Sequence, residues 1–349
     1  MNVTALAVSL LFVAVPLSGQ SSADLDQSPS VRLTNGLLKA KVYIPDPKRG
    51  FYHSTRFDWS GFIGALEYKG HNYYGDWFSR LDTDPKYWDF NYDGDEIVSA
   101  PQTAGVGPVE EFQTNGIALG YNEAKPGETF VKIGVGVLRK VDDKRYSHSD
   151  SYPLVDTGKW TVTHTKNSMT FRQVLSDTQS GYSYDYKKRI RLVPGKPQMI
   201  VYHRLKNTGT KKIATQVYDH NFLVLDNQPP GPDFRIKFPF QPTVSRPVSP
   251  GLGELRSNEI AYLKTLEGKD RMQAQMKGFT ENPSDYSITI ENSKVGAGVR
   301  YRGDRPLWNV GYWSIRSVLA AEPFINIEID PGSEYDWTLT YDYYTIPPQ

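Results

Sequence analysis

Cysteine is missing from the 349 residues, so neither a disulfide framework nor a lipid-anchored N-terminal cysteine is available. Any core must therefore hold by packing alone. An excess of charge is missing too. Forty Lys and Arg stand against 39 Asp and Glu with no basic stripe, which argues against nucleic acid and anionic membranes as partners. No apolar run reaches the length that spans a bilayer. A Gly-rich phosphate loop, an H-E-x-x-H pair and a G-x-S-x-G elbow are also lacking, which removes the nucleotide, zinc-protease and serine-hydrolase readings. Histidine is scarce, at six residues.

Residues 1–23 carry no charged side chain, and Ala5 to Val15 is an apolar run of signal-peptide length. Small residues follow at Ser21-Ser22-Ala23. The reading is a signal peptide over residues 1–23 and an exported chain, periplasmic or extracellular, that starts near Asp24 and meets no membrane afterwards. Nothing in residues 24–349 marks a linker or an internal repeat, so one domain is expected there.

What the chain has in plenty is aromatic and β-branched sequence: 23 Tyr, 15 Phe and 7 Trp. Period-two alternation between Gly, Pro, Asn and Asp turns predicts strands at residues 37–44, 130–138, 159–165, 169–174, 182–192, 198–205, 286–291 and 334–344. The fold class expected is all-β, a large antiparallel β-sandwich. One helix is expected, at Asn258 to Leu266.

Chemistry concentrates at Val217-Tyr218-Asp219-His220-Asn221-Phe222, where a histidine sits among polar and aromatic residues after a strand. Imidazole exchanges a proton near neutral pH, and aromatic walls suit the C–H faces of a sugar. The competing reading is a buried histidine bonded inside the core. Arg56, between His53 and Trp59 and two residues before Asp58, offers a planar fork for sugar hydroxyls, or a structural tie to Asp58. Glu110 and Glu111 follow Gly107-Pro108; if that segment is extended, their side chains point to opposite faces. Glu322 precedes Pro323 beyond Trp313, between two strand-like runs. Asp89-Phe90-Asn91-Tyr92-Asp93-Gly94-Asp95 opens like a calcium loop, but its twelfth position is Ala100 where the loop needs a bidentate Glu. No metal is assigned. His71 reads as an exposed turn residue and His203 as structural.

Taken in order, Arg56, Gly107 to Phe112, Tyr218 to Phe222, Glu322-Pro323 and Pro331-Gly332-Ser333-Glu334 resemble the galactose mutarotase-like (aldose 1-epimerase) superfamily over roughly residues 30–345. The resemblance implies a large sandwich with a sugar in a concave cleft. It implies His220 as general acid toward the ring oxygen and Glu322 as general base toward the anomeric hydroxyl, with Glu328 as a rival base. Arg56, Asp58, Glu110, Glu111, Asp219 and Trp313 would bind the sugar. Asp219, or a backbone carbonyl, would fix the His220 tautomer. The chemistry needs no cofactor. An isomerase of sugar anomers is the function expected; a non-catalytic carbohydrate binder and a polysaccharide lyase or hydrolase are the alternatives. After the histidine, Phe222-Leu223-Val224-Leu225 departs from the family's aromatic-asparagine continuation.

Overall fold

The computed structural model describes residues 20, 21 and 27–347. The leader read over residues 1–23 therefore lies outside the described residues, apart from Gln20–Ser21, which pair with Arg80–Leu81. Among the described residues there is no α-helix, only strands and three short 3-10 turns.

Two antiparallel sheets organise the molecule. One has ten strands and runs from Lys159–His164 at one edge to Gly253–Arg256 at the other. The second has six, in the order Thr243–Arg246, Arg271–Lys277, Asn309–Ile315, Val318–Ile329, Ile213–Phe222, Gly107–Gln113. Their facing sides share one core. Ile190, Val201 and Leu339 from the larger sheet pack with Val217, Ala321, Ile327 and Met276 from the smaller. These are alternate residues of their strands, as a pleated half-buried surface requires.

The other face of the six-stranded sheet is also covered. Val109, Phe222, Trp313 and Ala320 on it join Phe57, Trp59, Trp77, Phe90, Phe130 and Tyr146 in a second aromatic core. The sheet is thus sandwiched between the ten-stranded sheet and a layer built from residues 51–152. Cover on both sides explains why strand 213–222 is buried along nearly its entire length, although polar side chains sit among its apolar ones.

Two expectations from the sequence are corrected here. Asn258 to Leu266 is not helical: Glu259–Tyr262 is a strand, paired with Gly253–Arg256 across a two-residue turn at Ser257-Asn258, where Ser257 has a φ of 49°. Ile260 and Tyr262 point to one face and are buried, so tertiary pairing overrides a short ambiguous apolar run. Residues 130–138 make not one strand but a hairpin, Thr129–Lys132 against Gly136–Arg139. Gly134 turns it at φ 79°, and a β-carbon there would lie 2.6 Å from Asp58.

Candidate active site

Strand alternation decides which side chains reach the outer face of the six-stranded sheet. From Ile213–Phe222 these are Tyr218, His220 and Phe222, while Val217, Asp219 and Asn221 turn inward. Glu322 lies on the adjacent strand. The pairing of Tyr218 with Phe324 and of Leu223 with Leu319 places His220 opposite Glu322. The two side chains meet: His220 Nε2 lies 3.1 Å from Glu322 Oε1. The strand beyond contributes Gly311 opposite Glu322 and Trp313 opposite Ala320.

These groups line a cleft of about 200 Å³ with Arg56, His148, Arg246, Arg271, Gln273 and Gln275. Phe222 stacks on His220 at 3.8 Å and 9°. Phe57 and Trp313 meet the imidazole edge-on at 5.9 and 5.6 Å. Trp313 is itself braced by Trp77 and Phe90. With the Tyr218 ring at 6.1 Å, four aromatic rings therefore fix the imidazole, and only Nε2 has a polar partner. Nδ1 is buried with none.

Beneath the cleft lies a knot of charge. Arg56 donates from Nε to Glu111 Oε2 at 2.9 Å and from a terminal nitrogen to Tyr218 Oη at 3.1 Å. Tyr218 donates its hydroxyl to Glu111 at 2.7 Å, and Lys132 Nζ reaches the other carboxylate oxygen at 2.8 Å. Tyr52 steadies the loop by accepting the backbone N–H groups of Arg56 and Phe57. Burial would push the Glu111 carboxyl up, but Lys132 and Arg56 outweigh it and hold it well below the usual carboxylate range.

The His220–Glu322 pair is tuned oppositely. Burial pushes the Glu322 carboxyl up to about 7 against the pull of Arg56. Burial, and then the Arg56 guanidinium, hold the His220 imidazole well below its ordinary value. An orphaned Nδ1 adds to this, since nothing steadies a second N–H. Below about pH 7 the pair thus holds one proton, resting on the carboxyl. His148 at the rim is pushed down to about 4, chiefly by Arg56.

No protein-family model matches the chain and no curated protein matches it. Solved structures do. The chain overlays a galactose mutarotase related enzyme of Lactobacillus acidophilus with a TM-score of 0.51 at 12% identity, covering 92% of this chain and 99% of that one. A galactose mutarotase-like protein of Clostridium acetobutylicum gives 0.52 at 10% identity, covering 94% and 98%. A GalM/aldose epimerase homologue of C. elegans gives 0.51 at 12%, covering 91% and 99%. The fold is galactose mutarotase-like.

Within this mutarotase-like sandwich the expected site residues divide into two groups. His220, Glu322, Arg56 and Trp313 line the cleft, and Glu111 sits directly beneath it. Asp58, Glu110 and Asp219 do not. They belong to a separate cluster on the inner side of the sheet, which corrects their expected role in sugar binding. Glu110 pairs with Lys188, and one of its oxygens lies 2.9 Å from His203 Nε2. Asp58 takes Lys188 at 3.1 Å and the Tyr186 hydroxyl at 3.0 Å. Asp219 takes the Tyr286 hydroxyl at 3.1 Å. The reason is the alternation foreseen for Glu110 and Glu111: neighbours on a strand face opposite ways, and only one can reach the cleft. Asp219, beside His220, is turned away by the same rule, so it leaves the His220 tautomer alone.

Glu328 is no rival for Glu322, being exposed and paired with Lys212 at 2.7 Å. His203 is structural as read, stacked on Trp337 at 4.5 Å. His71 is not exposed; it is part-buried against Asp226 at 2.7 Å. The calcium-like segment forms a hairpin, Phe90–Asp93 against Glu96–Ser99. It sends Asp93 to Arg80 at 2.9 Å and Asp89 to Arg271 at 3.4 Å. Among the described residues no group of three His, Asp or Glu side chains gathers as a metal site.

Reading the sequence missed His148, Arg271, Gln273, Gln275 and Lys132. Arg271, Gln273 and Gln275 alternate along one strand with buried Met272, Ala274 and Met276, a signal that was available. His148 and Lys132 carried none.

One glycine is required by the pair. A β-carbon on Gly311 would lie 2.6 Å from Glu322 Oε2. Because the obstructed atom is the free end of a side chain, Gly311→Ala is expected to fold normally and swing the carboxylate off His220. If the pair is catalytic, turnover should fall by about 100-fold, the cost of an ångström's misplacement. Unchanged rates in a variant of normal Tm would show that the contact is dispensable.

Proposed function

We propose that the chain is a carbohydrate-active isomerase of the aldose 1-epimerase kind, interconverting the anomers of a free sugar at His220 and Glu322. The observation that carries this is the 3.1 Å contact between an imidazole and a carboxyl group inside an aromatic-walled cleft. Both oxygens of a hemiacetal hang from one carbon, so two groups a hydrogen bond apart can address them together. This differs from a pair placed on opposite sides of the ring, and it suits a proton relay.

One proton serves the cycle. It crosses the contact from Glu322 to His220 as the sugar displaces water. Glu322 then takes the proton of the anomeric hydroxyl while His220 gives its own to the ring oxygen. The C1–O5 bond breaks, the aldehyde rotates, and closure on the other face reverses both transfers. Arg56, held by Glu111 and Tyr218, presents its remaining N–H groups toward the sugar hydroxyls. Trp313 supplies a ring face.

The active form is therefore the singly protonated pair. That proton is lost as pH rises through about 7, the value to which burial lifts Glu322. Polarimetry of freshly dissolved α-glucose and α-galactose between pH 5 and 9 is expected to show accelerated mutarotation at mildly acidic pH, falling away above about 7. No acceleration of any aldose at any pH would sink the isomerase reading. Calorimetric sugar binding without acceleration would instead support a carbohydrate-binding protein.

A further inference from the structure

We propose that a second hollow, which shares a wall with the cleft, is a glycan-binding subsite; this rests on the reading of the cleft as a sugar site. The hollow measures about 540 Å³ against about 200 Å³ for the cleft. Only the larger falls within the range of roughly 300–1,000 Å³ usual for ligand pockets.

Four segments contribute consecutive residues to both spaces. Thr55, Trp88, Gln102 and Ser149 line the hollow, and Arg56, Asp89, Thr103 and His148 line the cleft. The wall between them is thus shared, one side chain facing each way. A ligand held on one side bears directly on the loops that shape the other.

The lining has the chemistry of a saccharide subsite. Trp88 is 55% exposed, and no ring or cation of the described residues covers it. An apolar face with a polar N–H edge, left uncovered, is what a sugar ring stacks on. The Gln102 side-chain amide, which can both donate and accept, has no hydrogen-bond partner among the described residues. The Ser149 hydroxyl is buried and likewise unpartnered. A buried unpaired hydroxyl such as that of Ser149 is costly unless something completes it, and a sugar hydroxyl is suited to do so.

Charge narrows the class. Asp82, Asp84 and Asp150 line the hollow, with Asp82 bound to Arg80 at 2.6 Å. Asp84 is offset by Lys86 at 3.6 Å, which leaves Asp150 without an ion-pair partner among the described residues, so a neutral or amino-bearing glycan fits and a uronate or phosphorylated one is repelled.

The test is isothermal titration of the full chain with glucose, cellotetraose, the tetramer of glucosamine and tetragalacturonate. Cellotetraose or the glucosamine tetramer should bind at least about tenfold more tightly than glucose, the worth of one aromatic stacking contact. In Trp88→Ala that ratio should collapse to about one. Gln102→Ala, at a different point of the lining, should lower it as well. A tetrasaccharide that binds no better than glucose overturns the proposal, as does a ratio that survives Trp88→Ala or tetragalacturonate as the preferred ligand. Because binding alone is read, an absence of mutarotation would count against the isomerase and leave the glycan-binding role of the hollow standing.

Discussion

Glu322→Gln is expected to lower the mutarotation rate by about 10²–10⁴-fold, the range for removing one acid–base group. Glutamine keeps the volume and one acceptor but cannot take the anomeric proton, so the loss should fall on kcat with KM little changed. His220→Ala should cost as much, and the two together little more, since one relay fails in either case. The same Glu322→Gln substitution has a stability signature that activity does not share. Burial raises the folded-state value of Glu322 from 4.5 to about 7. Its contribution is therefore complete at acid pH and is lost as pH rises from 4.5 through about 7. The glutamine variant escapes that loss, so it should gain stability relative to the native chain across this window and keep the gain above it. His220 acts in the opposite sense: its depressed value means that the unfolded chain takes up a proton the folded chain refuses, so stability falls below about pH 6.5. Parallel pH–stability curves for the native chain and Glu322→Gln would mean that the carboxyl is solvated, and with it the proton-relay account fails.

Lys188→Met is expected to be the most destabilising single change outside the hydrophobic cores, by about 3–5 kcal/mol. Lys188 is the cation shared by Asp58 and Glu110, and its Nζ also donates to the Ser60 carbonyl at 2.9 Å. Removing it leaves two carboxylates facing each other between the sheets, with Asp219 close by; burial, and then Glu110, already hold Asp219 far above the usual range. The stranded carboxylates would have folded-state values raised above their unfolded ones. The penalty should therefore be largest at high pH and shrink as pH falls and they take up protons. Adding Asp58→Asn should recover part of the loss. Polarimetric activity per folded molecule should persist, because the cluster lies on the inner face of the sheet. A loss in urea denaturation below about 1 kcal/mol, or activity that disappears while the fold survives, would contradict this division between a structural cluster and a site.

That division marks the border of what the sequence disclosed. Arg56, His220 and Glu322 were legible as members of one ordered series, because chain order survives in one dimension. The strand Ile213–Phe222 that carries His220 was not, since aromatic and polar residues on both of its faces blur the period-two pattern and the histidine was placed after a strand. The opposite facing of Glu110 and Glu111 was legible too. Which of the two faces the cleft was not, since a strand buried on both sides shows aromatic and polar residues on each.

By itself, then, the sequence determined an antiparallel β architecture, since local backbone geometry writes its period directly into the chain. Only the tertiary structure decided that Glu322 stands opposite His220, that Asp58, Glu110 and Asp219 are sealed inside, and that Arg271 and His148 join the cleft. Those outcomes depend on strand order and register between segments far apart in the chain, which are set by which faces pack against which. They depend equally on the loss of water around each charge, a property of the assembled layers that no short stretch of sequence carries.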